Sequence, residues 1–222
     1  MFNISDICSL EHTLAKSYLL SFSYPWQALK ELKAFIYILG ESLNKRDYNN
    51  ISNGIWIHKT AVVAESAQIC APCIIGAGTQ VRHCAFIRGN AIIGENCVVG
   101  NSTEIKNSIL FDCVQVPHYN YIGDSILGYK AHLGAGAVTS NVKSDRSEIC
   151  LSIDGETIHT GMKKFGAIIG DESEIGCGSV LNPGTIIGRN TTVYPLVSVR
   201  GVIESNRIVK SQNVCVNKLR KD

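Results

Sequence analysis

The residues of this chain that could do chemistry together fall within one stretch, and their spacing is what recommends them. Arg88 and Lys106 stand eighteen residues apart, and each directly follows a core-type aliphatic. In a coil that repeats every eighteen residues they would stack, and two stacked cations repel unless an anion lies between or before them. A phosphate suits that place, because the Arg fork binds it bidentately and Lys adds a point charge. Two solvated side chains on a polar corner is the alternative. Glu104 and Tyr121 each precede an aliphatic and flank the cations. With them they make a polar pocket able to read a sugar's amine and hydroxyls, or, alternatively, Glu104 simply pairs with Lys106. His83, Asn101 and His118 form a third column. His83 and His118 would lie two coils, roughly 10 Å, apart, too far to share an ion within one chain. Across a subunit interface such a site could survive, but no metal is assigned. His118 is left as a general base, with a plain surface histidine as the alternative.

The elements that must position these residues are legible as a repeat. Ile57, Val63, Ile69, Ile75, Val81, Ile87, Ile93, Val99 and Ile105 are all six apart, and the register resumes at Ile169, Ile175, Leu181, Ile187, Val193 and Val199. This hexapeptide repeat predicts an all-β fold, a parallel β-helix over residues 51–203. Three hexads make each triangular coil, with the aliphatics pointing inward. Between Ile105 and Leu110, and between Ile122 and Leu127, the spacing drops one residue. Residues 1–50 read as helical, from the spacing of Leu10, Leu14 and Tyr18 and from a stripe of Trp26, Leu29, Leu32, Phe35, Ile36 and Leu39 ended by Gly40. They are expected as short helices capping the solenoid, since its end needs a cover. An insertion at about 140–165 breaks the register, with Asp154-Gly155 as a hairpin tip between aliphatic runs. A loop this long is expected to be functional. Residues 204–222 are left as a tail with a solvated basic end at Lys218, Arg220 and Lys221.

Composition sets bounds. Hydrophobic residues make up 45% and charged ones 18%, which supplies a core and excludes disorder, and a net charge of +2 points to no nucleic-acid partner. No apolar run is long enough to span a bilayer. Asp6, Glu11 and His12 stand where a secretion signal would be apolar, so the nine cysteines are expected reduced and mostly buried, in a cytoplasmic protein. Cys70 and Cys73 form a C-x-x-C without a second pair.

The stretches FIRGNAIIG, GNSTEIKNS, VPHYNYIGDSILG and LGAGAVTSN, in that order, resemble the C-terminal acetyltransferase domain of the bifunctional bacterial enzyme that makes UDP-N-acetylglucosamine. The chain is also similar to stand-alone hexapeptide-repeat relatives of that enzyme. The resemblance implies a left-handed coil, a homotrimer with sites between subunits, acetyl-CoA as co-substrate and acetyl transfer to the amine of glucosamine 1-phosphate. It implies that His118 takes the amine proton, that Arg88 and Lys106 hold the phosphate, and that Glu104, Tyr121 and Asn141 contact the acceptor. Ala135 falls where backbone groups meet the coenzyme. Departures are His132 for a sugar-contacting Asn, Cys177 for a coenzyme-contacting Ser, Gly89 for a Pro, and Asn141-Val142-Lys143-Ser144 for Asn-Tyr-Asp-Gly. Residues 1–50 cannot hold a uridylyltransferase domain, so no pyrophosphorylase activity is expected. The rival reading from another class is a catalytically silent β-helix that binds or assembles with a sugar-nucleotide enzyme.

Overall fold

A computed structural model describes residues 3–153, 155–211 and 214–218. Asp154 of the expected hairpin tip, and Arg220 and Lys221 of the basic end, lie outside the described residues. Among the described residues the chain winds through three sheets of nine, seven and nine strands in rotation, the strands stacking parallel from coil to coil except for one antiparallel strand at each end, Tyr48–Ser52 and Val214–Asn217. This is the parallel β-helix expected from the hexads. Ile75, Ile93, Leu110, Leu127, Ile169 and Ile187 form one inward column, with fully buried side chains. Both register slips are real, for Leu110 pairs with Ile93 below and Leu127 above. The shortened corners are closed by Asn107 and Asp124, each with φ of 50°. Asn and Asp enter that left-handed region more readily than other side-chain-bearing residues.

The helical segment does not cap an end; it lies along a flank. One sheet carries aliphatics on its outer surface as well, at Ile74, Ile92, Ile109, Ile126, Ile168 and Ile186. They form a second core with Ile4, Ile7, Leu19, Trp26, Leu29, Leu32 and Ile36 of the N-terminal segment. A parallel strand buried on both faces reads as an unbroken hydrophobic run, and the doublets Ile74-Ile75, Ile92-Ile93 and Ile186-Ile187 are that signature. Among the described residues only Ala28–Ser42 is a full helix. Before it the chain breaks into the short turns Ile4–Ile7, Leu10–His12 and Lys16–Leu20, and Leu14 is exposed. Gly40 does not end the long helix. It sits inside it, where a Cβ would stand 2.4 Å from the Trp56 ring, so its absence of side chain lets the helix approach the sheet.

The insertion is an antiparallel hairpin, Cys150–Ile153 with Glu156–His159. Its root residues Ile149, Leu151, Met162 and Phe165 are buried in the second core, and the Phe165 ring centroid is 5.9 Å from that of Trp26. The insertion therefore begins and ends as structure. At the far end, residues expected as a tail extend the solenoid: strand Arg207–Ser211 stacks on the previous coil, buries Val209 and pairs antiparallel with Val214–Asn217. Lys218 is tied to Asn190 by a 2.8 Å hydrogen bond. Cys8, Cys73 and Cys97 are buried, and burial pushes the Cys97 thiol up to about 12, but Cys84, Cys150, Cys177 and Cys215 are exposed, against the expectation of mostly buried cysteines. All nine are free thiols. Among the described residues no helix is long and apolar enough to cross a membrane.

Candidate functional site

The helices cover one sheet, which leaves the outer surface of the seven-stranded sheet open. On it the expected columns form. Glu104 and Tyr121 are direct partners on adjacent strands, and Arg88 and Lys106 follow the paired core residues Ile87 and Ile105. Their chemistry differs from the expectation, however. The two cations do not converge on one anion, because each has its own carboxylate. Arg88 Nη1 stands 2.6 Å from Glu104 Oε1, and Lys106 Nζ stands 3.0 Å from Asp124 Oδ2. The alternative pairing of Glu104 with Lys106 does not occur either.

Asp124 is the hub that sequence reasoning missed. Its side chain is 5% exposed and accepts from Lys106, from Asn107 Nδ2 at 2.7 Å and from Asn141 Nδ2. Asn141 also donates to Tyr121 Oη at 3.2 Å, so the residue closing one shortened corner ties together three side chains of the expected site. The signal was available: a lone polar residue at each register slip. The Tyr121 phenol is pushed up by burial, with the Asp124 and Glu104 carboxylates adding in the same direction, so it stays neutral. The Arg88–Glu104 pair is half-exposed and thus weak, and is open to exchange with a ligand anion. The Lys106–Asp124 pair is more enclosed and serves the framework.

His118 lies at the edge where strand Gln115–His118 turns into strand Tyr121–Gly123. The turn is tightly specified. Pro117 has its φ preset, and a Cβ on Gly100 below would stand 1.6 Å from the Pro117 carbonyl oxygen, so only Gly lets the coils stack there. Tyr119 takes φ of 51°. Asn120, 2% exposed, accepts from the His118 N–H at 3.1 Å and donates to the carbonyls of Gly134 at 2.8 Å and Ala137 at 3.0 Å. The His118 carbonyl in turn accepts from the Gly136 N–H at 3.0 Å. The backbone is clamped on both sides, while the imidazole is exposed and has no hydrogen-bond partner among the described residues. His83 shares the column through Asn101, as expected, but its Nδ1 is 2.6 Å from Ser66 Oγ.

Ala135 and Cys177 continue the His118 edge upward. Both are exposed, and the Ala135 carbonyl accepts from the Gly178 N–H at 2.8 Å. His132 is not part of this group. It lies on the strand stacked on Gln115–His118, opposite Gln115, with Nδ1 2.7 Å from Glu174 Oε2. The insertion leaves from the opposite edge of the open sheet, after Asn141, so the strand Val138–Thr139 separates the expected coenzyme residue Ala135 from the loop. At that second edge two adjoining cavities of about 320 and 430 Å³ share Lys143, Pro183 and Arg200 in their walls. Neither cation was singled out from sequence, since nothing in the hexads marks a cavity formed by the inserted hairpin. The arrangement as a whole offers a base on one edge, an exchangeable cation on the face, and a cationic groove on the other edge.

Residues 69–163 match the family model described as the GMPPB C-terminal domain. The chain is 32% identical over 200 residues to the bifunctional protein GlmU of Methanococcus maripaludis, covering 89% of this chain and 48% of that protein. It is 26% identical over 186 residues to the bifunctional sugar-1-phosphate nucleotidylyltransferase/acetyltransferase of Sulfurisphaera tokodaii, covering 81% of this chain and 46% of that one. The chain thus spans about half the length of these curated relatives. It is 31% identical over 188 residues to the uncharacterized acetyltransferase YaiX of Escherichia coli O6:K15:H31, covering 77% of this chain and 76% of YaiX.

Proposed function

The chain belongs to the hexapeptide-repeat acetyltransferases, and from that premise we propose that it moves an acetyl group from acetyl-CoA to the amine of an amino-sugar phosphate. Glucosamine 1-phosphate is the acceptor of choice, and the working form is a cytoplasmic homotrimer with its sites between subunits. The observation that carries the reading is the His118 edge: an exposed imidazole without a hydrogen-bond partner among the described residues, on a backbone clamped by Asn120 and Gly136. A residue kept only for packing would not be so firmly held and so free at its tip.

In the reaction the neutral amine attacks the thioester carbonyl while His118 accepts the proton that nitrogen sheds, the general-base role open to an imidazole. The C–N bond forms, the C–S bond breaks, and the proton returns from His118 to the departing thiolate. Arg88 exchanges Glu104 for the acceptor phosphate, Tyr121 and Asn141 present neutral hydrogen-bonding groups to the sugar, and Lys106 with Asp124 holds that wall in place. The coenzyme runs past Ala135 and Cys177. His132, paired with Glu174, serves the acceptor only if a neighbouring subunit brings its face to the site.

A second reading, a silent binding module, is favoured by one observation: both expected phosphate cations are already neutralised by carboxylates. The two readings separate in one assay. Wild-type chain, acetyl-CoA and glucosamine 1-phosphate are mixed and free thiol is followed; acceptor-dependent release supports the enzyme, and no acceptor-dependent release with any amino-sugar phosphate leaves the binding module.

A further inference from the structure

The insertion hairpin carries a cluster that acyl transfer does not use. Among the described residues, one His, Cys and carboxylate group has ligand atoms all within 4.8 Å of one another: Glu148, Cys150 and His159. Cys150 and His159 are paired across the hairpin, and Cys150 Sγ is 3.6 Å from His159 Nδ1. The same Nδ1 is 3.5 Å from Glu148 Oε2. Ligands at about 2.0–2.3 Å from a tetrahedral zinc stand about 3.3–3.6 Å from one another, so both distances are already edges of such a tetrahedron. We propose that Glu148, Cys150 and His159 form a binding site for a borderline divalent cation of the zinc class, which clasps the two strands of the hairpin.

The donor set suits that ion, since thiolate and imidazole select against calcium and magnesium, which prefer oxygen. The carboxylate is prepared for it. Glu148 Oε1 accepts from the Gly161 N–H at 2.6 Å, which fixes its orientation and leaves Oε2 toward the histidine. A backbone partner of this kind typically orients a metal ligand. Cys150 and His159 are exposed, so the fourth position is open to water and the ion is exchangeable. The site does not depend on the acyl-transfer reading.

The test uses the full chain, reduced and stripped with a chelator, then titrated with Co²⁺ alone. One equivalent should give the intense visible bands of tetrahedral cobalt together with a thiolate charge-transfer band, and Zn²⁺ should abolish both. Cys150→Ser should remove the charge-transfer band, and His159→Ala should weaken cobalt binding at least tenfold, since even the partners that orient a metal ligand are worth 10–100-fold. Cys215→Ser, at an exposed thiol elsewhere, should change neither. All three substitutions fall on exposed side chains, and an unchanged melting curve without metal confirms folded protein. Absence of tetrahedral bands, or a charge-transfer band that survives Cys150→Ser, overturns the site and leaves the trio as a hydrogen-bonded strut.

Discussion

Asn120 gives the sharpest test of how the His118 edge is held. Its buried side chain makes three hydrogen bonds, one accepted from the His118 N–H and two donated to the Gly134 and Ala137 carbonyls. A net 0.5–1.5 kcal/mol for each gives roughly 1.5–4.5 kcal/mol for Asn120→Ala. The middle of that range, about 3 kcal/mol, is the better figure, because the Gly134 carbonyl keeps a second donor, the Ala137 N–H at 3.1 Å. Asn120→Asp keeps the acceptor but turns a carboxylate toward two carbonyl oxygens, so at pH 8 it should be less stable than the Ala variant. Burial and those oxygens raise the carboxyl's folded pKa above its unfolded value. Its contribution is then fully present below the unfolded value and lost as pH rises through the folded one, so Asn120→Asp should recover on acidification while Asn120→Ala does not. Urea unfolding between pH 4.5 and 8 reads both. In the transfer assay, Asn120→Ala should lower kcat by about 10–100-fold with little change in the KM for acetyl-CoA, the scale expected when a catalytic group moves by about 1 Å. An Ala variant within 0.5 kcal/mol of wild type, or an Asp variant with no pH response, would refute the clamp.

Three further outcomes are expected. His118→Ala should lose about 10²–10⁴-fold in kcat while its melting temperature and acetyl-CoA binding hold, and His83→Ala, already tied to Ser66, should do little; thiol release by both variants checks this. Arg88→Met should weaken acceptor binding by about 1.5–3 kcal/mol in calorimetry while acetyl-CoA binding is unchanged, and equal weakening of both ligands would remove Arg88 from the phosphate site. The raised Tyr121 phenol makes the folded chain hold its proton more tightly than the unfolded chain, so its contribution is present below about pH 10 and lost above it. Tyr121→Phe should therefore lose stability less steeply than wild type between pH 9 and 11.5, and parallel curves would contradict that shift.

The sequence by itself determined the coil and its stacking. Hexads of aliphatics specify which residues face inward, and a fixed number of residues per coil then specifies which outer residues lie above one another. Hence the Glu104–Tyr121 pair, the His83–Asn101–His118 column and both register slips were legible before any coordinate. The doublets that bury one sheet on both faces were legible too, but a one-in-six pattern draws attention only to the inward member. What only the tertiary structure decided was the direction of side chains and the docking of parts without a repeat. Spacing places the Cα atoms of Arg88 and Lys106 one above the other, yet a long flexible cation can reach several carboxylates. The choice of Glu104 for one and Asp124 for the other depends on corners that Asn107 and Asp124 close in the left-handed region. In the same way, the N-terminal segment went to a flank because that flank carried the uncovered apolar stripe. The hairpin root followed it there, with Ile149, Leu151, Met162 and Phe165 buried in the same second core.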